Sequence, residues 1–217
     1  FGVRQQQKLY QKGQTADVLV MTATPIPRSL ALTIYGDLDL SVIDELPQGR
    51  KEIITWAVGE KKRGGMYKFL RERMNAGEQA YIVCPLVKVS EKMDLSDAEE
   101  TAQKLQTEIF PDKNIAVLHG QMKNEDKAEI MENFRLGKID ILVATTVIEV
   151  GVDVPNATVM IIENAERFGL AQLHQLRGRI GRGEKQGYCI LMGHPNTEES
   201  KRRLEVMTKT NDGFFIA

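Results

Sequence analysis

The sequence has little that could crosslink the chain or bind a metal ion. Its two cysteines, Cys84 and Cys189, lie in apolar runs, and its three histidines, His119, His174 and His194, lack the spacing of metal ligands. We therefore expect buried free thiols rather than a disulfide, and no metal site within this chain.

The sequence also lacks a membrane segment and an excess of charge. No apolar run approaches the length of about 20 residues that crosses a bilayer, and no signal segment is visible, so a cytoplasmic protein is expected. The 29 basic and 30 acidic residues give a net charge of -1. The chain is therefore not a polycation, and its overall charge does not indicate nucleic-acid binding. The basic residues do cluster, at positions 177–185 and 201–203.

A third absence concerns phosphate binding. No G-x-x-x-x-G-K-[ST] loop occurs anywhere in the chain, and neither does the acidic motif that holds magnesium in such proteins. The run Ser41–Glu45 imitates that acidic motif, but Pro47 follows it closely and no phosphate loop precedes it, which favours a linker. We expect that this chain alone cannot hydrolyse ATP.

What the sequence does contain is an alternation of strand-like and helix-like segments. Short apolar runs, many of them β-branched, predict strands buried on both faces; they are 18–22, 53–58, 79–84, 115–119, 139–145, 158–163 and 188–192. Amphipathic stretches between them predict helices at 65–75, 98–110, 124–136, 170–180 and 198–209. The polar, acidic stretch 88–98 is predicted to be a loop. The alternation indicates an α/β fold with a parallel sheet and helices on both faces.

The most informative stretch is 172–183, QLHQLRGRIGRG. On a helix, Gln175, Arg179 and Arg182 would point the same way, because they are spaced by four and three residues. Two guanidiniums and an amide on one face suit a polyphosphate, since arginine is always charged and presents a rigid fork of donors. The alternative is a solvated basic helix end, but Gly178 and Gly181 would then cost helix stability without an evident packing reason.

These residues resemble a known family. Together with residues 144–153, ATTVIEVGVD, the stretch is similar to motifs V and VI of superfamily 2 helicases, and residues 21–28, MTATPIPR, resemble their motif III. Residues 37–47 and 210–214 resemble the RecG family in particular. The resemblance implies a three-layer, RecA-like fold of the P-loop NTPase type.

The resemblance also implies a domain organisation. Residues 1–45 would be the end of the first helicase motor domain with motif III and a linker, 46–195 the complete second RecA-like domain, and 196–217 the start of a helical hairpin. The chain opens without an initiator methionine and in mid-pattern, as an excised piece would. Apolar residues such as Leu19 and Met21 would belong against the missing domain, so residues 1–45 are expected to be loosely attached.

The same resemblance implies a nucleotide site. Arg179 and Arg182 would contact the phosphates of ATP in the cleft between the two motor domains, and Gln175 would orient around the γ-phosphate. Asp153 would reach the ribose or link to the arginine helix, with Gly151 allowing the close turn. The alternative for Asp153 is an acid that caps a turn. Magnesium would be held by the absent first motor domain.

Other residues are implied in DNA contact and coupling. Thr145 would bind a DNA phosphate, unless its hydroxyl only satisfies local backbone at the strand end. Thr22 and Thr24 would link the nucleotide state to the grip on DNA, although Thr24 before Pro25 also suits a helix cap. His119 and Gly120 would touch the DNA backbone. Arg203 would lie on the final helix, which would transmit the movement of the motor.

The function implied is that of a motor domain of an ATP-dependent DNA helicase that remodels stalled replication forks and Holliday junctions in repair and recombination. Its partners would be branched DNA and the first motor domain and wedge domain of the same chain, in a monomer. Three alternatives remain: the transcription-repair coupling translocase, an RNA helicase, and a non-enzymatic nucleic-acid-binding module.

Overall fold

The computed structural model describes residues 49–85, 91–145 and 153–213, with only the backbone for 91–96, and the isolated positions 19, 21, 41 and 43. Its strands are β1 (Ile54–Val58), β2 (Gln79–Val83), β3 (Ile115–Leu118), β4 (Ile141–Ala144), β5 (Ala157–Ile162) and β6 (Tyr188–Met192). Its helices are α1 (Arg63–Asn75), α2 (Glu91–Lys104), α3 (Asn124–Arg135), α4 (Leu170–Arg177) and α5 (Glu198–Lys209). A π-helical turn, Leu105–Ile109, extends α2.

All six strands form one parallel sheet in the order β1-β6-β5-β2-β4-β3. The central strands β2, β4 and β5 are buried along their whole length, as expected for continuous apolar runs covered on both faces. The predicted α/β fold is therefore confirmed, and six of the predicted strands appear within a few residues of their expected bounds. The seventh, 18–22, lies largely outside the described residues.

Side chains of alternate strand residues point to opposite faces of the sheet and pack into two separate hydrophobic cores. On one face, Tyr81 packs with Phe134 of α3, Leu176 of α4 and Met207 of α5. On the other face, Ile82 packs with α1 and α2, for example against Leu70. The result is the predicted three-layer sandwich.

Two sequence predictions about helices are wrong. The stretch 88–98 is not simply a loop, because α2 begins at Glu91. Ala98 and Ala102 of α2 and Leu105 of the π-helical turn after it fall on one buried stripe, and acidic residues near a helix start are favoured by the helix dipole. The second error concerns α4, which ends at Arg177 and not at Ile180.

The described apolar residues of the N-terminal stretch are exposed. Leu19 and Met21 have 80% and 83% of their surface accessible. The loose attachment of residues 1–45 and the division into three domains stay predictions. In the final helix, Leu204 and Met207 pack into the same core as the sheet.

Candidate functional site

The loop after α4 carries both predicted arginines. Because α4 ends at Arg177, Arg179 and Arg182 do not continue the helix face of Gln175, and the predicted single helical stripe is wrong. The reason lies in the glycines: Gly178 is the C-cap, and Gly181 adopts a positive φ of 63° that favours glycine. Both arginines therefore project from a loop, whereas Gln175 is exposed on the helix.

The glycines of this arginine loop have a packing role that the sequence did not reveal. The amide of Gly181 donates to the carbonyl of Ala157 at the start of β5, at 3.3 Å. A Cβ on Gly183 would lie 3.0 Å from the carbonyl oxygen of Pro155, and one on Gly187 would lie 3.2 Å from the Cα of Gly181. The loop is thus pressed against the segment that leads into β5.

This packing brings the two sequence motifs together. Nη1 of Arg182 lies 3.7 Å from Oδ1 of Asp153, and the side chains are 30% and 59% exposed. Arg179 is partly buried, and its pKa is lowered by desolvation and then by the charge of Arg182. Burial raises the pKa of Tyr81 to about 12, against the opposing charges of Arg182 and Arg179. Gly151 lies outside the described residues.

Arg50 joins this group, and the sequence analysis missed it. Its Nη2 donates to the carbonyl of Gly178 at 3.3 Å. Burial lowers its pKa, the charge of Arg182 lowers it further, and Asp153 opposes the shift. Arg50 is far from the other residues in the chain, so only sheet topology could have indicated it: the starts of parallel strands meet at one edge.

The arginine cluster and the predicted DNA contacts lie at opposite edges of the sheet. Arg50 and Asp153 precede β1 and β5, and Arg182 precedes β6, so this cluster marks the edge where strands begin, the amino edge. Thr145 directly follows β4 and His119 directly follows β3, at the edge where strands end, the carboxyl edge.

At the carboxyl edge, β3 and β4 bring His119 and Thr145 side by side. The amide of Thr145 donates to the carbonyl of Leu118 at 3.2 Å, and Thr145 is only 2% exposed. Oγ1 of Thr145 and Nδ1 of His119 are buried and find no hydrogen-bond partner among the described residues. The carbonyl of Gly120 accepts from the buried Lys127 Nζ at 2.9 Å. Thr22 and Thr24 lie outside the described residues.

Arg177, at the end of α4, is deeply buried although it is charged. It is 2% exposed and its Nη1 donates to the carbonyls of Met207 and Thr210, at 2.8 and 2.9 Å. Its Nη2 lies 3.1 Å from Nδ1 of His174, which must accept because arginine only donates. These bonds join the end of α4, where the arginine loop begins, to the end of α5.

Arg203 makes a second connection between α5 and the rest of the domain. Its Nη2 donates to the carbonyl of Glu166 at 3.2 Å, and its Nη1 lies 3.6 Å from Glu199. The backbone of Glu166 belongs to the segment between β5 and α4, so the final helix contacts that segment directly.

Comparison with known proteins identifies the family. The model of the helicase conserved C-terminal domain matches residues 62–184, more than half of the chain. The chain belongs to this family. It is 54% identical over its whole length to the ATP-dependent DNA helicase RecG of Synechocystis, covering 26% of that protein. It is 51% identical to RecG of Bacillus subtilis and to RecG of Thermotoga maritima, covering 32% and 28% of them.

Solved structures agree. The structure of RecG bound to a three-way DNA junction matches 95% of this chain at a TM-score of 0.80 and 50% identity, with 27% of that protein covered. The yeast DEAD-box splicing factor Prp28 matches 75% of the chain and 34% of its own length at a TM-score of 0.56, and at 21% identity it supports the fold alone. The predicted RecG resemblance is confirmed.

The match defines how much of a RecG is present. The chain spans about a quarter to a third of the length of the curated relatives that it matches.

Among the helices in the part of the chain that the structure describes, none is long and apolar enough to cross a membrane.

Proposed function

We propose that this chain supplies the second motor domain of a RecG-type, ATP-dependent DNA helicase that remodels stalled forks and Holliday junctions during repair and recombination. The observation that carries the proposal is the cluster of Arg179, Arg182 and Asp153 on the accessible amino edge of the sheet. Identity to RecG along the whole chain favours this over the coupling translocase and over an RNA helicase.

The charges of the cluster suit the binding of a nucleoside triphosphate. Within the described residues Asp153 is the only carboxylate within ion-pair distance of Arg182, and none lies that close to Arg179. Positive charge in excess of its acid partners, at an accessible surface, is what a polyphosphate requires. Arg182 would stabilise charge in the transition state, and Arg179 and Gln175 would contact the phosphates. Asp153 would orient Arg182 or bind the ribose, with Gly151 at the turn.

Magnesium, when bound, neutralises charge on the phosphates. By the family's pattern the residues that hold it belong to the first motor domain. This chain alone should therefore release no phosphate from ATP at a DNA-stimulated rate, and steady turnover by the isolated chain would contradict the proposed division of labour.

Grip on branched DNA is proposed for the carboxyl edge. Among the described residues the buried hydroxyl of Thr145 and Nδ1 of His119 have no hydrogen-bond partner, and with the adjacent backbone of Gly120 they would contact a phosphate oxygen. Thr22 and Thr24 would couple this grip to the nucleotide, and Arg203 would pass motion on through α5. We further propose a monomer that works in the cytoplasm, joined to its own first motor domain and wedge domain.

Arg182→Ala in the full-length enzyme tests the nucleotide assignment. The DNA-stimulated ATPase rate should fall by a factor of roughly 10³ or more, as for other arginine fingers, with DNA affinity and unfolding temperature nearly unchanged. Arg182→Lys should not rescue, because a point charge cannot reproduce the fork. Lys185→Ala, an exposed cation of the same loop, is the matched control. Near-normal turnover by Arg182→Ala would overturn the assignment of the arginine loop to the nucleotide.

Thr145→Val tests the DNA assignment. Valine keeps the shape of the buried side chain and removes only the hydroxyl, so the fold should survive. Affinity for a model fork should fall while its dependence on salt concentration stays the same, because the lost phosphate contact is made by an uncharged hydroxyl that releases no counterion. Arg203→Ala should instead spare ATPase and weaken fork unwinding; equal loss of both activities would argue against a role in transmission.

A further inference from the structure

We propose that Arg50 is a third guanidinium of the polyphosphate site, supplied by the segment that enters β1 from the preceding motor domain. The inference rests on the proposed function, because it needs a nucleotide at the arginine loop. It assigns binding to a residue outside the helicase motifs of the sequence.

The position of Arg50 fits this role. Its Nη2 holds the carbonyl of Gly178 at 3.3 Å, directly before Arg179 in the chain. This is the only hydrogen bond of Arg50 within the described residues, so the guanidinium keeps further donors for a ligand. Arg50 is only partly buried and can reach an anion at the surface.

The charge balance of the cluster also points to an anionic ligand. Among the described residues, Asp153 is the carboxylate that interacts with Arg50 and with Arg182, and it is itself largely exposed, whereas no acid raises the pKa of Arg179. After burial, the charge of Arg182 further lowers the pKa of both other arginines, so Arg182 repels each of them. A polyphosphate bound among them would offset this repulsion, because its negative charge attracts each guanidinium.

Arg63 shows what an arginine with a structural role looks like in the same domain. It binds the carboxylates of Glu60 and Glu163 and the hydroxyl of Tyr67, and its pKa is raised. Among the described residues Arg50 has a different environment: one carbonyl acceptor, burial and a like charge that lower its pKa, and a weaker opposing effect of Asp153. The difference between the two environments favours ligand binding at Arg50.

The test uses Arg50→Gln in the full-length enzyme, with Lys51→Gln as the control. Lys51 is the next residue, is exposed and carries the same charge. Calorimetric titration with ATPγS should show about 10-fold weaker binding for Arg50→Gln, the size expected for one charge-assisted contact. The KM for ATP should rise to a similar extent while kcat changes less than threefold, and Lys51→Gln should match the wild type.

Stability without nucleotide separates binding from a structural role. If Arg50 binds phosphate, removing its charge relieves repulsion, so the unfolding temperature without nucleotide should stay level or rise. Lower stability without nucleotide, or ATPγS affinity within twofold of wild type, would overturn the proposal. Arg182→Ala is measured in parallel. Normal ATP turnover by Arg182→Ala would contradict the proposed function itself. If Arg182→Ala weakens ATP turnover but Arg50→Gln leaves ATP binding unchanged, only the inference about Arg50 is contradicted.

Discussion

Oδ1 of Asp153 lies 3.7 Å from Nη1 of Arg182, so two motifs that are separate in the sequence share one accessible site. An ion pair this exposed contributes little to stability, typically about 0–1 kcal/mol. The pair instead affects orientation, because the carboxylate limits where the guanidinium can point.

Asp153→Asn should separate orientation from stability. Arg182 would lose its charged partner and be less well placed, so the ATPase kcat/KM of the full-length enzyme should fall by roughly 10²-fold. The free energy of unfolding should change by less than about 1 kcal/mol. Glu184→Gln, an exposed acid of the same loop, should leave both quantities unchanged. Normal turnover in Asp153→Asn would show that the pair has no catalytic consequence.

Arg177→Met should destabilise the domain by about 2–4 kcal/mol, because the buried carbonyl of Met207 and the partly buried carbonyl of Thr210 would lose this donor. Urea unfolding can follow the fluorescence of Trp56, the single tryptophan, which stacks on Tyr188. Arg202→Met, at an exposed position of α5, should cost less than about 0.5 kcal/mol. Equal effects from the two substitutions would exclude a special role for the buried arginine.

His174 should make stability depend on pH. Burial, and then the charge of Arg177, lowers the pKa of His174 below its usual 6.5, so the unfolded chain binds this proton more readily than the folded one. Its contribution is therefore complete above about pH 6.5 and is lost as the pH falls below that value. The unfolding free energy measured from pH 7.5 to 5 should fall less steeply in His174→Gln than in the wild type. Parallel curves would disprove the assignment.

The two thiols should be unreactive in the native protein. Both are free and buried, and burial raises the pKa of Cys84 and of Cys189 to about 12. At pH 8 a disulfide reagent such as DTNB should modify neither until urea unfolds the domain. Lys51→Cys, which introduces an exposed thiol, should react within the mixing time as a control. Rapid native labelling of either natural cysteine would contradict this burial.

The pattern of apolar runs was enough to predict the sheet. A strand such as β5, buried on both faces, has to be apolar at every position, and this requirement is visible in one dimension. The stretch 172–183 and Asp153 were identified from the order of motifs, which is also a property of the linear sequence. The free, buried state of the cysteines was likewise expected from their apolar neighbours and is confirmed.

Helix ends were less predictable. The spacing of Gln175, Arg179 and Arg182 favours a continuous helix, but Gly181 adopts a left-handed conformation and its amide bonds to Ala157 on another strand. Local periodicity carries no information about that tertiary partner. At α2 the reverse occurred: the helix begins at Glu91, within the polar stretch 88–98 that the sequence indicated as a loop, and Ala98 at the end of that stretch is fully buried.

By itself the sequence determined the fold class, the family and most residues of the candidate nucleotide site, because strand burial and motif spacing are properties of the chain order. Only the tertiary structure decided that Asp153 meets Arg182, that Arg50 joins them, and that the arginines and Thr145 lie at opposite edges of the sheet. The physical reason is that a parallel sheet gathers the beginnings of distant strands at one edge and their ends at the other, a consequence of strand order that no local pattern encodes.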